Sequence, residues 1–331
     1  KYSYHGAKGK IMTNLLDPSI LFFIFGIFAG LVRSNLEIPQ QISRFLSLYL
    51  LMALGLKGGF ALNKSGFTPE IAISLALAIT LAIVVPLVGY NLLKQKLDKL
   101  DAAAIAAAYG SVSAVTFITA TQVLDQNGIA YGGHMAAAMA LMESPAIIIA
   151  IVLANRIRLQ RSGDKTGHTP IGKILHESFT DGGQLLLLGS LMVGIISGDA
   201  GHKVMAPFSI DLFKGLLAFF LLDMGLVAAR SIGELKGKPP ITFLYGFIAP
   251  PVHAMAALGL CLMFGVALGD TVLLMILAAS ASYIAVPAVL RYALPEANPS
   301  LYFGMSLGVT FPLNILFGIP VYVSLAQAIL S

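Results

Sequence analysis

The chain has 331 residues, of which 57% are hydrophobic and 11% charged, with a mean hydropathy of +0.85. A composition this apolar cannot cover a water-soluble surface and points to a protein embedded in a membrane. The formal charge of +5 includes Lys1, Lys8 and Lys10; without them it falls to about +2, which leaves no electrostatic case for nucleic acid.

Residues 1–11, opening KYSYHGAKGK, are unlike anything after them and read as an added leader, with Met12 the expected native start. A helical span needs about 20 apolar residues, and ten can be placed. The first repeat, 12–155, holds five, at roughly 18–33, 43–62, 70–93, 102–124 and 133–155. Residues 156–182 are basic and polar and read as a connector. The second repeat, 183–331, holds five more, at roughly 183–198, 210–229, 240–265, 270–292 and 300–330. The single Cys261 lies in an apolar run and can form no internal disulfide.

The two sets match in order. Each first span carries Gly-x-x-x-Gly (Gly26 with Gly30, Gly194 with Gly198), and each second span a Gly-Leu pair (Gly55-Leu56, Gly225-Leu226). Each third span has an internal proline, Pro86 against Pro250 and Pro251. Each fourth opens with an aspartate, Asp101 or Asp270, and carries a central Ser-x-Ser, Ser111 with Ser113 and Ser280 with Ser282. Each fifth has a polar residue two positions before a proline, Glu143 before Pro145 and Thr310 before Pro312. Matches in the same order along both halves predict an internal duplication. An odd number of crossings per half makes the second half enter from the opposite face. The expected fold is therefore an all-α integral membrane protein, ten transmembrane helices in a 5+5 inverted repeat, with the fourth and ninth broken at their serines.

Lys and Arg in short loops set the orientation. They gather after spans one, three, five, seven and nine, as Arg33 and Arg44, Lys94 to Lys99, Arg156 to Lys173, Arg230 to Lys238, and Arg291. That side is expected in the cytoplasm, with both termini outside.

Small, hydroxylated residues in the middle of a bilayer-length segment weaken a helix, and two weak points at matching places point to a transporter with its site at broken helices. Free amides and the positive end of a half-helix could face a small anion there, while freed carbonyls and hydroxyls could hold a sodium ion. The candidate substrate-binding residues are Ser111, Ser113, Thr116, Ser280 and Ser282. The competing reading is that Ser and Ala simply permit close helix packing. Ionisable residues inside spans are costly and tend to face a cavity or a partner. Glu143 is the candidate cation ligand or proton carrier, with Thr310 and Asn314 as helpers; Asp223 and Lys57 are candidate structural charges that could pair. There is no phosphate loop, HExxH or cysteine pair, so neither an enzyme nor a cofactor is expected.

With those segments in view, the chain resembles the sodium-dependent bicarbonate transporters first known from cyanobacteria, over nearly all of 12–331. The likeness is carried by Arg230-Ser231-Ile232-Gly233-Glu234-Leu235, Ala297-Asn298-Pro299-Ser300, Leu325-Ala326-Gln327-Ala328-Ile329-Leu330, Gly110 to Thr116 and Leu290-Arg291. The resemblance implies core and gate domains each assembled from both repeats, a homotrimer in the bacterial plasma (inner) membrane, sodium as coupling ion and bicarbonate as substrate. It also implies a PII-like cytoplasmic regulator, although the connector here is shorter. Where members carry an Asp after the second serine run, this chain has Tyr283, followed by Ala285 and Val286 in place of Ser and Gly; Ala114 and Val115 replace small residues in the first run, and Glu143 replaces an Asp. The expected function is secondary active, sodium-coupled bicarbonate uptake. The alternatives are a carrier of another small anion driven by sodium or protons, a passive channel, and a non-transporting sensor or scaffold.

Overall fold

The computed structural model describes residues 16–66, 68–162, 172, 176, 180–235 and 237–330. The leader with Met12, and the connector residues 163–171, 173–175 and 177–179, lie outside the described residues. Every regular element among the described residues is a helix. In chain order they are α1 (Pro18–Leu31), α2 (Gln40–Ser65), α3 (Pro69–Leu93), α4 (Lys99–Gly110), α5 (Ala114–Gln126), α6 (Met135–Ser162), α7 (Gly182–Ala206), α8 (Phe213–Glu234), α9 (Pro240–Phe264), α10 (Leu268–Ala279), α11 (Ala285–Ala293) and α12 (Pro299–Leu330).

Local chemistry explains where these helices start. Pro18, Pro69, Pro240 and Pro299 occupy first-turn positions, where a missing N–H costs nothing. Asp17, Asp98, Asp181 and Asn298 cap four N-termini, accepting from Ser19, Leu100, Gly183 and Ser300 amides at 2.8 to 3.1 Å. Gly265 ends α9 in the left-handed conformation at φ 65°.

Seven helical stretches among the described residues are long and apolar enough to cross a membrane. One of them, Gly182–Glu234, contains α7 and α8, which bend apart through Gly198 (φ 53°) and a π turn at Pro207–Asp211 and pack on different partners. α1 and α10 are shorter apolar helices. α12 is not a regular helix: π turns at Ser306–Thr310 and Asn314–Gly318 flank Pro312.

Four helices pair through glycine. Gly26 and Gly30 of α1 lie against Leu222, Gly225 and Leu226 of α8, and Gly55 and Gly59 of α2 against Leu187, Leu191 and Gly194 of α7. Contacts advance together along both chains, so each pair runs parallel. Without a hydrophobic force between helices in lipid, close backbone approach is what holds such pairs. α3 to α6 and α9 to α12 form the second group, with α3 packed on α4 and α6, and α5 and α9 on α10. An alanine-rich α4, buried from Ala102 to Gly110, lets its neighbours close in around it.

Candidate functional site

Both serine runs interrupt their helices. α4 stops at Gly110, Ser111 is extended (φ −94°, ψ −170°), and Ser113 caps α5, accepting from the Thr116 amide at 3.2 Å. Pro86 of α3 packs against Gly110, where a Cβ would meet its ring. In the other half α10 stops at Ala279, Ser280 is extended (φ −86°, ψ 167°), and α11 starts at Ala285. β-region residues at matching places convert one long helix into two short ones in each half.

The two breaks are bonded to each other. The Ser113 amide donates to Ser280 Oγ at 2.9 Å, and the Ser282 amide donates to the Ala108 carbonyl at 2.7 Å. Ser280 Oγ in turn donates to Leu277 O at 2.9 Å, Thr116 Oγ1 donates to Ser113 Oγ at 2.9 Å, and Ser282 Oγ accepts from the Val286 amide at 3.2 Å. The five predicted substrate residues are thus assembled in one buried place, each no more than 4% exposed.

Not every polar atom there is used. Ser111 Oγ, Asn314 Oδ1 and the Tyr283 hydroxyl are buried with no hydrogen bond closed. The Asn314 amide nitrogen donates to the last carbonyl of α10, Ala279, at 2.8 Å, which leaves its oxygen spare. The Tyr283 hydroxyl is drawn toward Ser113 without reaching bonding geometry, and its ring stands edge-on to Phe311 at 5.3 Å between centroids. Buried groups with unused capacity carry a desolvation cost that a bound polar ligand would remove.

The three cation candidates are not brought together. Asn314 is at the second break, as above. Thr310, one turn earlier, donates to Gly246 O at 3.0 Å and receives the Tyr109 hydroxyl at 2.6 Å, so it ties α12 to α9 and α4. Glu143 of α6 is hydrogen-bonded by Gln184 of α7 instead. Nor do Lys57 and Asp223 pair. Lys57 of α2 forms its ion pair with Asp125, in the last turn of α5, while Asp223 of α8 faces Ser43 of α2 and the charge of Arg230. Sequence spacing offered no sign of the Lys57 partner, because it depends on how the two helix groups dock.

The opening aspartates have matching work. Asp101 Oδ1 accepts the Asn298 amide at 2.7 Å, and Asp270 Oδ1 accepts the Gly132 amide at 2.6 Å. Each broken helix is thereby anchored to the loop that follows the other one. On the face near α1, Asp17 takes hydrogen bonds from Gln126 Nε2 at 2.8 Å and Lys214 Nζ at 2.9 Å. Burial pushes its pKa up, but Lys214, Gln126 and the Ser19 amide together hold it below the usual carboxylate value.

Residues 18–327 match the family model described as the Na+-dependent bicarbonate transporter superfamily. The chain belongs to that superfamily. No curated protein matches it. The superfamily is one of transporters, and with the apolar helices this makes the chain a multi-pass membrane protein. The matched span runs from the first turn of α1 to the last of α12, so both breaks fall within it.

Proposed function

We propose that the protein is a secondary active transporter that takes up bicarbonate with sodium through the paired helix breaks. The observation that carries this is the buried set at the breaks, cross-bonded through Ser113 and Ser280 yet keeping Ser111 Oγ, Asn314 Oδ1 and the Tyr283 hydroxyl unspent. The N-terminal ends of α5 and α11 give a small anion positive half-helix potential, with Ser111, Ser113, Thr116, Ser280 and Ser282 around it. The C-terminal carbonyls of α4 and α10 suit a cation, and Asn314 Oδ1 adds a neutral oxygen beside the second of them. Sodium on that side and bicarbonate on the other stabilise each other by opposite charge, which couples their movement.

A 5+5 inverted repeat is supported by the exchanges between halves. α1 pairs with α8 and α2 with α7, equivalent helices with roles swapped, and Asp101 and Asp270 reach reciprocal loops. On this reading α1, α2, α7 and α8 are the gate and the remaining helices the core, which rocks against it with the site aboard. Glu143 and Thr310 then act as ties between elements rather than as ligands. Termini outside, a plasma-membrane location and a homotrimer complete the proposal.

The test is labelled bicarbonate uptake into proteoliposomes at fixed pH, with an inward sodium gradient or with potassium in its place. Accumulation only with sodium supports the proposal; equal uptake under both, or none from folded protein, overturns it.

A further inference from the structure

A cavity of about 170 Å³ lies between α2 and α5, with none of the five candidate substrate residues in its lining. It is lined by Lys57 of α2, by Asp125 of α5, by Tyr131 and Gly132 of the loop that follows, and by Phe117, next in sequence to Thr116. At about 30 Å³ per water it has room for a small oxyanion with a few waters. Lys57 is the cation in this space, held by Asp125 and over the Tyr131 ring at 5.4 Å from its centroid. The Tyr131 hydroxyl is within the electrostatic reach of Lys57 and Thr121 but closes no hydrogen bond.

The ion pair joins the two helix groups, and its side chains are 40% and 36% exposed. Pairs this exposed are worth about 0–1 kcal/mol, and that is the hold on the ammonium that an arriving anion has to break. The consequence is mechanical. Asp125 and Gln126, adjacent in the last turn of α5, tie it to both glycine-paired units, Asp125 through Lys57 within α2 and Gln126 through Asp17 at the head of α1. An anion on Lys57 leaves Asp125 unpaired and facing a like charge, which weakens one of those two ties.

We propose that Lys57 is an outer receiving site for small oxyanions, at which the anion replaces Asp125 and so loosens α5 from α2 before moving past Phe117 to the breaks. This deepens the transport reading above and rests on its orientation, with the end of α5 outside. The site is distinct from the serines: it uses a full charge on a partly exposed side chain, whereas they are buried and neutral.

The experiment uses the full chain with Cys261→Ala and a reporter Ala61→Cys in the cavity lining. Membrane-impermeant anionic and cationic thiol reagents are compared for rate of labelling, with millimolar bicarbonate or chloride as competitor. Lys57→Gln should lower the anionic-to-cationic rate ratio about fivefold, and Asp125→Asn, which frees the ammonium, should raise it by a similar factor. Lys57→Arg should keep the parental ratio, which separates charge from misfolding. Bicarbonate should slow the anionic reagent in the parent but not in Lys57→Gln. Equal ratios in all variants, or equal protection by bicarbonate with and without Lys57, overturn the proposal. In uptake, Lys57→Gln should raise the bicarbonate KM while leaving the sodium half-saturation unchanged. If the parent transports nothing but the labelling ratios shift as stated, the transport reading fails and the anion site stands.

Discussion

The Ser113 amide and the Ser280 hydroxyl meet at 2.9 Å across 167 residues of sequence, and this bond fastens the two helix breaks together. Ser280→Ala strands the Ser113 N–H in a buried place, which costs about 1–3 kcal/mol. The expected outcome is a lower unfolding temperature together with a loss of uptake exceeding that of Ser111→Ala. Thermal unfolding in detergent and uptake by the same preparations check it; an unaffected Ser280→Ala would remove the bond from both roles.

Asn314 spends its nitrogen on Ala279 and keeps its oxygen. Asn314→Ala should raise the sodium concentration for half-maximal uptake about tenfold, which corresponds to roughly 1.4 kcal/mol of lost ion binding. The bicarbonate KM at saturating sodium should move far less. A sodium titration of initial rates is the measurement, and an unchanged half-saturation would take Asn314 out of the cation site.

Glu143→Gln should retain its contact to Gln184 as a neutral pair, since an amide can still accept. Sodium dependence is therefore expected to match the parent. A flattened sodium curve in this variant would return Glu143 to the cation site and contradict the assignment to a tie.

A Cβ on Gly194 would stand 2.6 Å from the Leu56 carbonyl oxygen and 2.9 Å from Gly59 Cα, whereas one on Gly259 of α9 meets nothing within 4 Å. Gly194→Ala should destabilise by about 1–3 kcal/mol through overpacking. Gly259→Ala should be neutral or stabilising by up to about 1 kcal/mol from helix propensity. Thermal unfolding of the two side by side checks the contrast.

Asp101 and Asp270 hold equivalent loops, so Asp101→Ala and Asp270→Ala should each release one loop amide and lower stability, Asp270→Ala by more because it also removes the carboxylate 3.4 Å from His134. Protection of the Asn298 and Gly132 amides against hydrogen exchange reads this directly. Loss confined to the matching amide in each variant is the expected pattern; an unchanged amide would show that the loop is held by something else.

The helix breaks were legible because Ser111 to Ser113 and Ser280 to Ser282 put small polar residues where lipid favours branched apolar ones, an effect of composition alone. The Gly-x-x-x-Gly and Gly-Leu pairs were legible for the same local reason, although which helix each would face was not. Partner choice was hidden. Lys57 meets Asp125 rather than Asp223, Thr310 meets Tyr109 and Gly246, and Glu143 meets Gln184, all through docking of distant elements that leaves no periodic trace. The opening aspartates showed in the sequence as a repeated feature, while their reach to Asn298 and Gly132 exists only once both halves are folded. The irregular winding of α12 had Pro312 as its one local sign.

The glycine seams have a consequence for descent. What crowds Gly59 and Gly26 is backbone, the Leu191 and Leu222 carbonyls, and no exchange of side chain on the opposite helix can move a carbonyl aside. A substitution there has no compensating partner, so drift at these positions is closed whatever the cargo. Side chains at the breaks, such as Tyr283, answer to no such backbone constraint. A lineage built this way can change what it carries while inheriting the same frame.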